Sequence, residues 1–266
     1  MEYEPIKKQI GRWVRRSVLL RKILYRFLGT LFLREWYVKR AIRRLGFPKT
    51  SAPWILDAGA GFGQYSVYCI KKYPRADVLG IEINPDHVAD GNRFAQRAGL
   101  ERLRFEHGDI TKLSHRNRFD VVLAVDVLEH IQDDETLLTH FFRALTPDGR
   151  LIVSTPSVYR KHRTDGDFVG EHFREGYSEE EIRQKLDQAG FLLDTLTYGY
   201  GFWGDLSWRW GIRNTLTLMG RGLFGKIAGP VYMILVAPLV LILMGLDYVW
   251  PNRRGTGFVI VAQKPA

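Results

Sequence analysis

This chain of 266 residues is short of several things. It has one cysteine, Cys69, so no intrachain disulfide framework and no cysteine-rich zinc site can form. It has no internal repeat and no low-complexity tract. No secretory signal is expected: Met1 is followed by Glu2 and Glu4, and the longest uncharged run before Arg34, Phe27 to Leu33, is seven residues. A cytosolic setting with a reduced thiol is the expectation. The first fifty residues are also short of acid, with 14 Lys/Arg against 3 Asp/Glu, a net of +11. The remaining 216 residues carry 25 against 26, a net of −1. The total of +10 therefore belongs to one terminal segment rather than to a nucleic-acid-binding surface. At 45% apolar and 26% charged, the chain is neither disordered nor a multi-pass membrane protein, and its length suits one domain with a sizeable insertion.

Basic and apolar residues alternate at helical spacing through residues 1–50. Ile6, Ile10, Trp13, Leu20, Leu24, Phe27 and Leu31 fall near one stripe, with Lys8, Arg12, Arg15, Lys22 and Arg26 off it. Pro48 and Pro53 separate this amphipathic extension from residues 51–198, where strands and helices alternate. Strands are expected at Trp54–Asp57, Asp77–Glu82, Leu103–Glu106, Phe119–Val125, Arg150–Ser154 and Phe191–Tyr198. Helices are expected at Phe62–Tyr73, His87–Ala98, Asp134–Leu145 and Glu179–Ala189. Asn84-Pro85 marks a helix start and Thr146-Pro147-Asp148-Gly149 a turn. Such alternation predicts an α/β fold with a parallel sheet covered on both faces. Residues 199–254 break the pattern, and Gly257–Ala262, within 255–266, closes the chain as a last strand.

The run Ile55-Leu56-Asp57-Ala58-Gly59-Ala60-Gly61-Phe62-Gly63 passes from a buried strand through closely spaced glycines into a helix, as backbone must where it turns sharply against a ligand. Glu82 ends the next strand, nineteen residues past Gly63, placed to accept from both hydroxyls of a ribose. Asp109, in Gly108-Asp109-Ile110, follows the third strand and can accept from an exocyclic adenine amine. The glycine spacing lacks the G-x-G-x-x-G form of a dinucleotide site.

These runs, with Gly80-Ile81-Glu82, His107-Gly108-Asp109-Ile110 and Phe119-Asp120-Val121-Val122, resemble the four ordered cofactor motifs of class I S-adenosylmethionine-dependent methyltransferases, and the likeness covers about Trp54 to Tyr198 plus the last strand. The resemblance implies a Rossmann-like seven-stranded sheet whose last strand runs antiparallel. It implies S-adenosyl-L-methionine as cofactor, with Asp57, Gly59 and Gly61 lining its methionine end, Glu82 holding the ribose, Ile83 packing on the adenine, Asp109 binding its amine, and Gly63, Ile110 and Asp126 as further cofactor-binding residues. Asp126, Glu129 and His130 resemble the trio of the ubiquinone-pathway O-methyltransferases, which can hold a divalent metal such as magnesium. The same Leu-Glu-His-Ile run occurs in metal-free relatives, where Glu and His tie the strand end to the next helix. His172 is the candidate general base, with His130, Glu129 and Tyr177 as further catalytic candidates. Ser178 with Glu181 reads as a capping box after that loop.

Ile227 to Leu246 is a twenty-residue run without charge. Tyr200, Phe202, Trp203, Trp208, Trp210, Tyr248 and Trp250 crowd its flanks, and 6 Lys/Arg against 2 Asp/Glu make residues 199–254 net +4. Because the last strand must return to its sheet, a single membrane crossing is excluded; re-entrant, paired or in-plane association remains. The expectation is a methyltransferase at the cytoplasmic face of a membrane, peripheral or monotopic. Its acceptor would be lipophilic: a prenylated quinone or phenol, a lipid, or a lipid-linked sugar, methylated on oxygen. An anionic membrane surface is the expected partner, nucleic acid is not, and self-association stays open. The alternatives are an RNA methyltransferase, which the acidic remainder of 19 Lys/Arg and 24 Asp/Glu disfavours, and a non-catalytic scaffold that binds the cofactor.

Overall fold

A computed structural model describes residues 17–48, 50–159 and 173–266. Two helices come first, α1 (Val18–Leu31) and α2 (Leu33–Arg44). An alternating core follows: β1 (Trp54–Ala58), α3 (Gln64–Lys72), β2 (Asp77–Glu82), α4 (Pro85–Arg97), β3 (Leu103–His107), β4 (Phe119–Val125), α5 (Asp134–Ala144), β5 (Leu145–Pro156), α6 (Glu179–Gln188) and β6 (Leu192–Gly199). Between β6 and the last strand β7 (Gly257–Gln263) lie α7 (Phe202–Trp208), a π-helical segment (Arg209–Arg213), α8 (Asn214–Met219) and α9 (Gly222–Val249).

The sheet order is β3-β2-β1-β4-β5-β7-β6, parallel except that β7 runs antiparallel between β5 and β6. Alternation along each strand feeds two cores. Leu56, Ala58, Val122, Ala124 and Ile260 pack with α5 and α6, while Ile55, Val121, Leu123, Ile152 and Val259 pack with α2, α3, α4 and α9. Element starts follow local chemistry. Asn84 caps α4 with its side chain accepting from Asp86 N, and Ser178 Oγ accepts from Glu181 N at 3.0 Å at the head of α6.

Three features depart from the sequence pattern. The break expected at residue 50 is not one in packing, because Leu33, Tyr37, Val38, Ala41 and Ile42 of α2 are core residues. Strand β5 begins at Leu145 rather than at Arg150, and the turn expected at Thr146–Gly149 is a bulge within it: Leu145 pairs with Phe119 and Arg150 with Val121, the four residues between loop out of the ladder, and Asp148 stands at φ 64°. The region 199–254 is a helical hairpin. The α7–α8 arm and α9 pack side by side through close approaches of Gly204 to Asp247, Gly211 to Val240 and Gly229 to Met219. Its two ends meet, since Thr256 N donates to Tyr200 O at 3.1 Å and Gly199 pairs with Gly257.

Candidate active site

At the carboxyl end of β1 the chain turns through Gly59, Gly61 and Gly63 at φ 74°, 52° and 73°, a region an L side chain enters at a cost of roughly 1–2 kcal/mol. Gly61 is the open one: a Cβ there would meet nothing within 4 Å, so its backbone faces free space. A Cβ at Gly59 would stand 2.8 Å from Val127, and one at Gly63 2.5 Å from the Phe105 ring. The loop is therefore packed behind and open in front, as a cradle for a ligand must be.

Glu82 carries the next part. Its Oε2 accepts from Gly61 N at 2.8 Å and its Oε1 from Asn84 N at 2.9 Å, which ties the end of β2 to the glycine loop. Ile83 beside it is 67% exposed, an apolar side chain left in the open where a flat base would cover it. Asp109 follows β3. Its Oδ1 takes the Thr111 N–H and hydroxyl at 2.9 and 2.7 Å, and these bonds hold its carboxyl below the usual range. Ile110 is buried under this turn. Asp57 lies on the strand face that looks at α3, with Oδ2 accepting from Ser66 N at 3.0 Å and Ser66 Oγ at 2.5 Å. It braces the loop from behind, and burial pushes its carboxyl up to about 6.

Two N-terminal helices close this site, and the sequence pattern had not assigned them to it. From α1, Arg21 Nη2 donates to the Phe62 carbonyl in the glycine loop at 2.6 Å and Nη1 pairs with Asp90 at 2.7 Å; the Tyr25 hydroxyl also bonds the Phe62 carbonyl. From α2, Glu35 accepts from Gln64 Nε2 at 2.8 Å at the start of α3. The signal in the sequence was Arg21 and Tyr25 at i, i+4, beside the apolar stripe rather than on it.

Beside the glycine loop, at the ends of β4, β5 and β7, lies a cleft of about 710 Å³. Asp126, Glu129 and His130 line it from the β4 side, Thr155 and Tyr159 from the β5 side, and Phe202, Leu206 and Trp208 from α7. Asp126 sits at φ 53° and forms an ion pair with Arg34 of α2. Glu129 is buried, with Oε2 accepting from Thr155 Oγ1 at 3.0 Å, and burial raises its carboxyl above the usual range.

The structure corrects two expectations. Tyr177 is no catalytic group: it is fully buried and its hydroxyl bonds Asp134 Oδ2 at 2.6 Å and Leu128 O at 3.2 Å, so it anchors its loop to the turn after β4. Asp126, Glu129 and His130 do not assemble as a metal trio. Among the described residues no three His, Cys, Asp or Glu side chains could hold a metal ion, because Asp126 is drawn to Arg34 and Glu129 to Thr155. His172 lies outside the described residues. Cys69 is a buried core residue, and burial raises its thiol.

The family described as "Methyltransferase domain" matches residues 49–190, more than half of the chain and the whole of the glycine-loop site. The chain belongs to this family. Its domain is that of the class I S-adenosylmethionine-dependent methyltransferases. Its relatives include the ubiquinone biosynthesis O-methyltransferase of Psychrobacter cryohalolentis, 31% identical over 38% of this chain and 40% of that protein. Phosphoethanolamine N-methyltransferase 1 of Triticum aestivum is 30% identical over 52% of this chain and 28% of that protein. The methyltransferase thus spans well under half the length of these curated relatives. Among solved structures, the S-adenosyl-L-methionine complex of Haemonchus contortus phosphoethanolamine N-methyltransferase 2 shares the fold, with TM-score 0.62, 16% identity, and coverage of 87% of this chain and 53% of that one. A methyltransferase from Aquifex aeolicus gives TM-score 0.55 at 15% identity over 89% of this chain and 92% of that one.

Proposed function

We propose that this methyltransferase modifies a hydroxyl oxygen of a lipophilic acceptor reached from a membrane surface: a prenylated quinone or phenol, a lipid, or a lipid-linked sugar. The observation that carries this reading is the position of the cleft. It opens beside the glycine loop, and α7 of the apolar hairpin forms one of its walls. In the other arm, α9 is 28 residues long, about 42 Å, and is long and apolar enough to cross a membrane by length and composition. Leu223, Phe224, Ile227, Val231, Ile234, Leu235, Leu239, Ile242, Leu246 and Val249 are exposed along it, an uninterrupted apolar face of a kind that marks a lipid or partner contact. With its ends joined at Gly199 and Gly257, the hairpin as a whole leaves the sheet and returns to it at one edge, as a monotopic anchor on a cytoplasmic face would.

Chemistry at the site needs little from the protein beyond alignment and exclusion of water. S-adenosylmethionine, when bound, supplies a methyl group activated on a sulfonium. Glu82, Ile83 and Asp109 would hold its nucleoside, and the glycine loop its methionine end. Glu129, buried on the cleft floor beside the Thr155 hydroxyl, would take the acceptor's hydroxyl proton, its raised affinity for protons suiting it to neutral pH. Mass spectrometry of lipid extracts from cells with and without the protein tests the reading. A lipid heavier by one methyl group should appear only with the protein; unchanged lipids with altered RNA modification would sink it.

A further inference from the structure

Helix α1 carries two faces with different work. Arg21 and Tyr25, four residues apart, point inward. Arg21 is 2% exposed, and its guanidinium bonds the Phe62 carbonyl and Asp90, donates through Nε to the Tyr25 hydroxyl at 2.6 Å, and lies 4.6 Å from the Phe94 ring centre. Phe62 stands between Gly61 and Gly63, so this grip acts on the backbone of the cofactor cradle. At 100° per residue, Leu19, Ile23 and Phe27 fall on the opposite side of the helix; they are 65%, 54% and 52% exposed. Exposed Lys22 and Arg26 run beside them.

We propose that contact between this outer face of α1 and an anionic lipid surface tightens the cofactor site through Arg21 and Tyr25. The inference rests on the membrane-surface reading above and adds to it a coupling between that surface and cofactor affinity. A helix of 14 residues is marginal on its own in water, and α1 leaves Leu19, Ile23 and Phe27 exposed. Burying them in a headgroup layer holds α1 where Arg21 and Tyr25 grip the loop. The charge pattern selects the occupant. Lys22 and Arg26 flanking apolar side chains suit anionic headgroups, whereas a second copy of α1 would set like charges against each other. The coupling is reciprocal, so cofactor must strengthen lipid binding by the factor by which lipid strengthens cofactor binding.

The test is calorimetric titration of S-adenosylhomocysteine into the full chain, alone and with phosphatidylcholine–phosphatidylglycerol vesicles, alongside vesicle sedimentation. The Kd should fall about fivefold with the vesicles, and S-adenosylhomocysteine should raise the lipid partition coefficient by the same factor. In the double variant Ile23→Ser/Phe27→Ser the vesicle-free Kd should stay as it is and the gain should vanish, while sedimentation persists through the charge-free face of α9. Tyr25→Phe, which removes one bond to the loop and keeps the ring, should shrink the gain. Sedimentation with an unchanged Kd overturns the coupling and leaves the membrane reading standing. A gain retained in the double variant also overturns it, by taking α1 out of the link. Failure to sediment at all overturns both.

Discussion

Asp57 lies one residue before the end of β1, on the strand face that looks at α3, and its bonds to Ser66 do not offset the cost of burying its charge. With a carboxyl raised from 3.8 to about 6, the folded protein holds this proton longer than the unfolded chain does. Its contribution to stability is therefore complete below about pH 4 and lost as pH rises through about 6, a change of roughly 3 kcal/mol. Asp57→Asn stays neutral throughout. Urea titrations of variant and parent between pH 4 and 7 should show the variant gaining on the parent by about that amount. Glu129 gives the kinetic counterpart: a proton acceptor with a raised carboxyl makes activity climb with pH over a limb above the ordinary carboxylate range. Glu129→Gln should abolish that limb and lower kcat about 100-fold, with KM for S-adenosylmethionine unchanged. The places of Asp57 and Glu82 at the glycine loop were readable because strand ends and glycine spacing mark them. Which way Asp57 faces was not, since that depends on the packing of α3.

At the scale of elements, the glycine loop and the hairpin make opposite demands. The loop must stay open at Gly61, so Gly61→Val both strains a left-handed backbone and fills the cradle. Saturating S-adenosylhomocysteine at about 100 times its Kd adds roughly 2.7 kcal/mol of stability and should raise the parent's Tm by about 5–10 °C. Gly61→Val should show no such rise in a thermal scan. The hairpin must keep its face apolar. Ile234, Leu235 and Ile242 are 72%, 74% and 60% exposed, so replacing all three with Ser should leave folding stability within about 1 kcal/mol. The same change removes side chains worth roughly 1.5–3 kcal/mol each when buried in lipid, and vesicle flotation should fall at least 100-fold. Alternating strands and helices were legible throughout the core. How the two arms of the hairpin meet was not, because it rests on close approaches of Gly204 and Gly211 to α9 that periodicity does not mark.

Over the whole molecule, the N-terminal helices, the cofactor loop, the cleft and the hairpin form one connected arrangement around the carboxyl edge of the sheet. Helix α2 joins them. Tyr37 bonds Asp247 of α9 at 2.9 Å, Arg34 pairs with Asp126 at the cleft, and Glu35 meets Gln64 beside the loop. Asp247 is fully buried, accepting also from Gly204 N at 2.9 Å, so it pins the base of the hairpin to the catalytic edge. Asp247→Leu should strand the Gly204 N–H, at a cost of about 1–3 kcal/mol in denaturant unfolding, while the Tyr37 hydroxyl keeps the backbone carbonyl of residue 247 at 2.7 Å.

The sequence by itself determined the methyltransferase core. Periodicity sets each strand and helix, and glycines and carboxylates at strand ends need no distant contact to be recognised as a nucleoside site. It also located the charge, net +11 in the first fifty residues, and the uncharged run from Ile227 to Leu246. Only the tertiary structure decided what these parts do to one another. Arg21 reaches Phe62 across 41 positions, and Tyr37 reaches Asp247 across 210. Asp126 and Glu129 take Arg34 and Thr155 as partners instead of a shared metal. Side-chain pairing over such separations is settled by how the helices pack on the sheet, and no local pattern of residues encodes it.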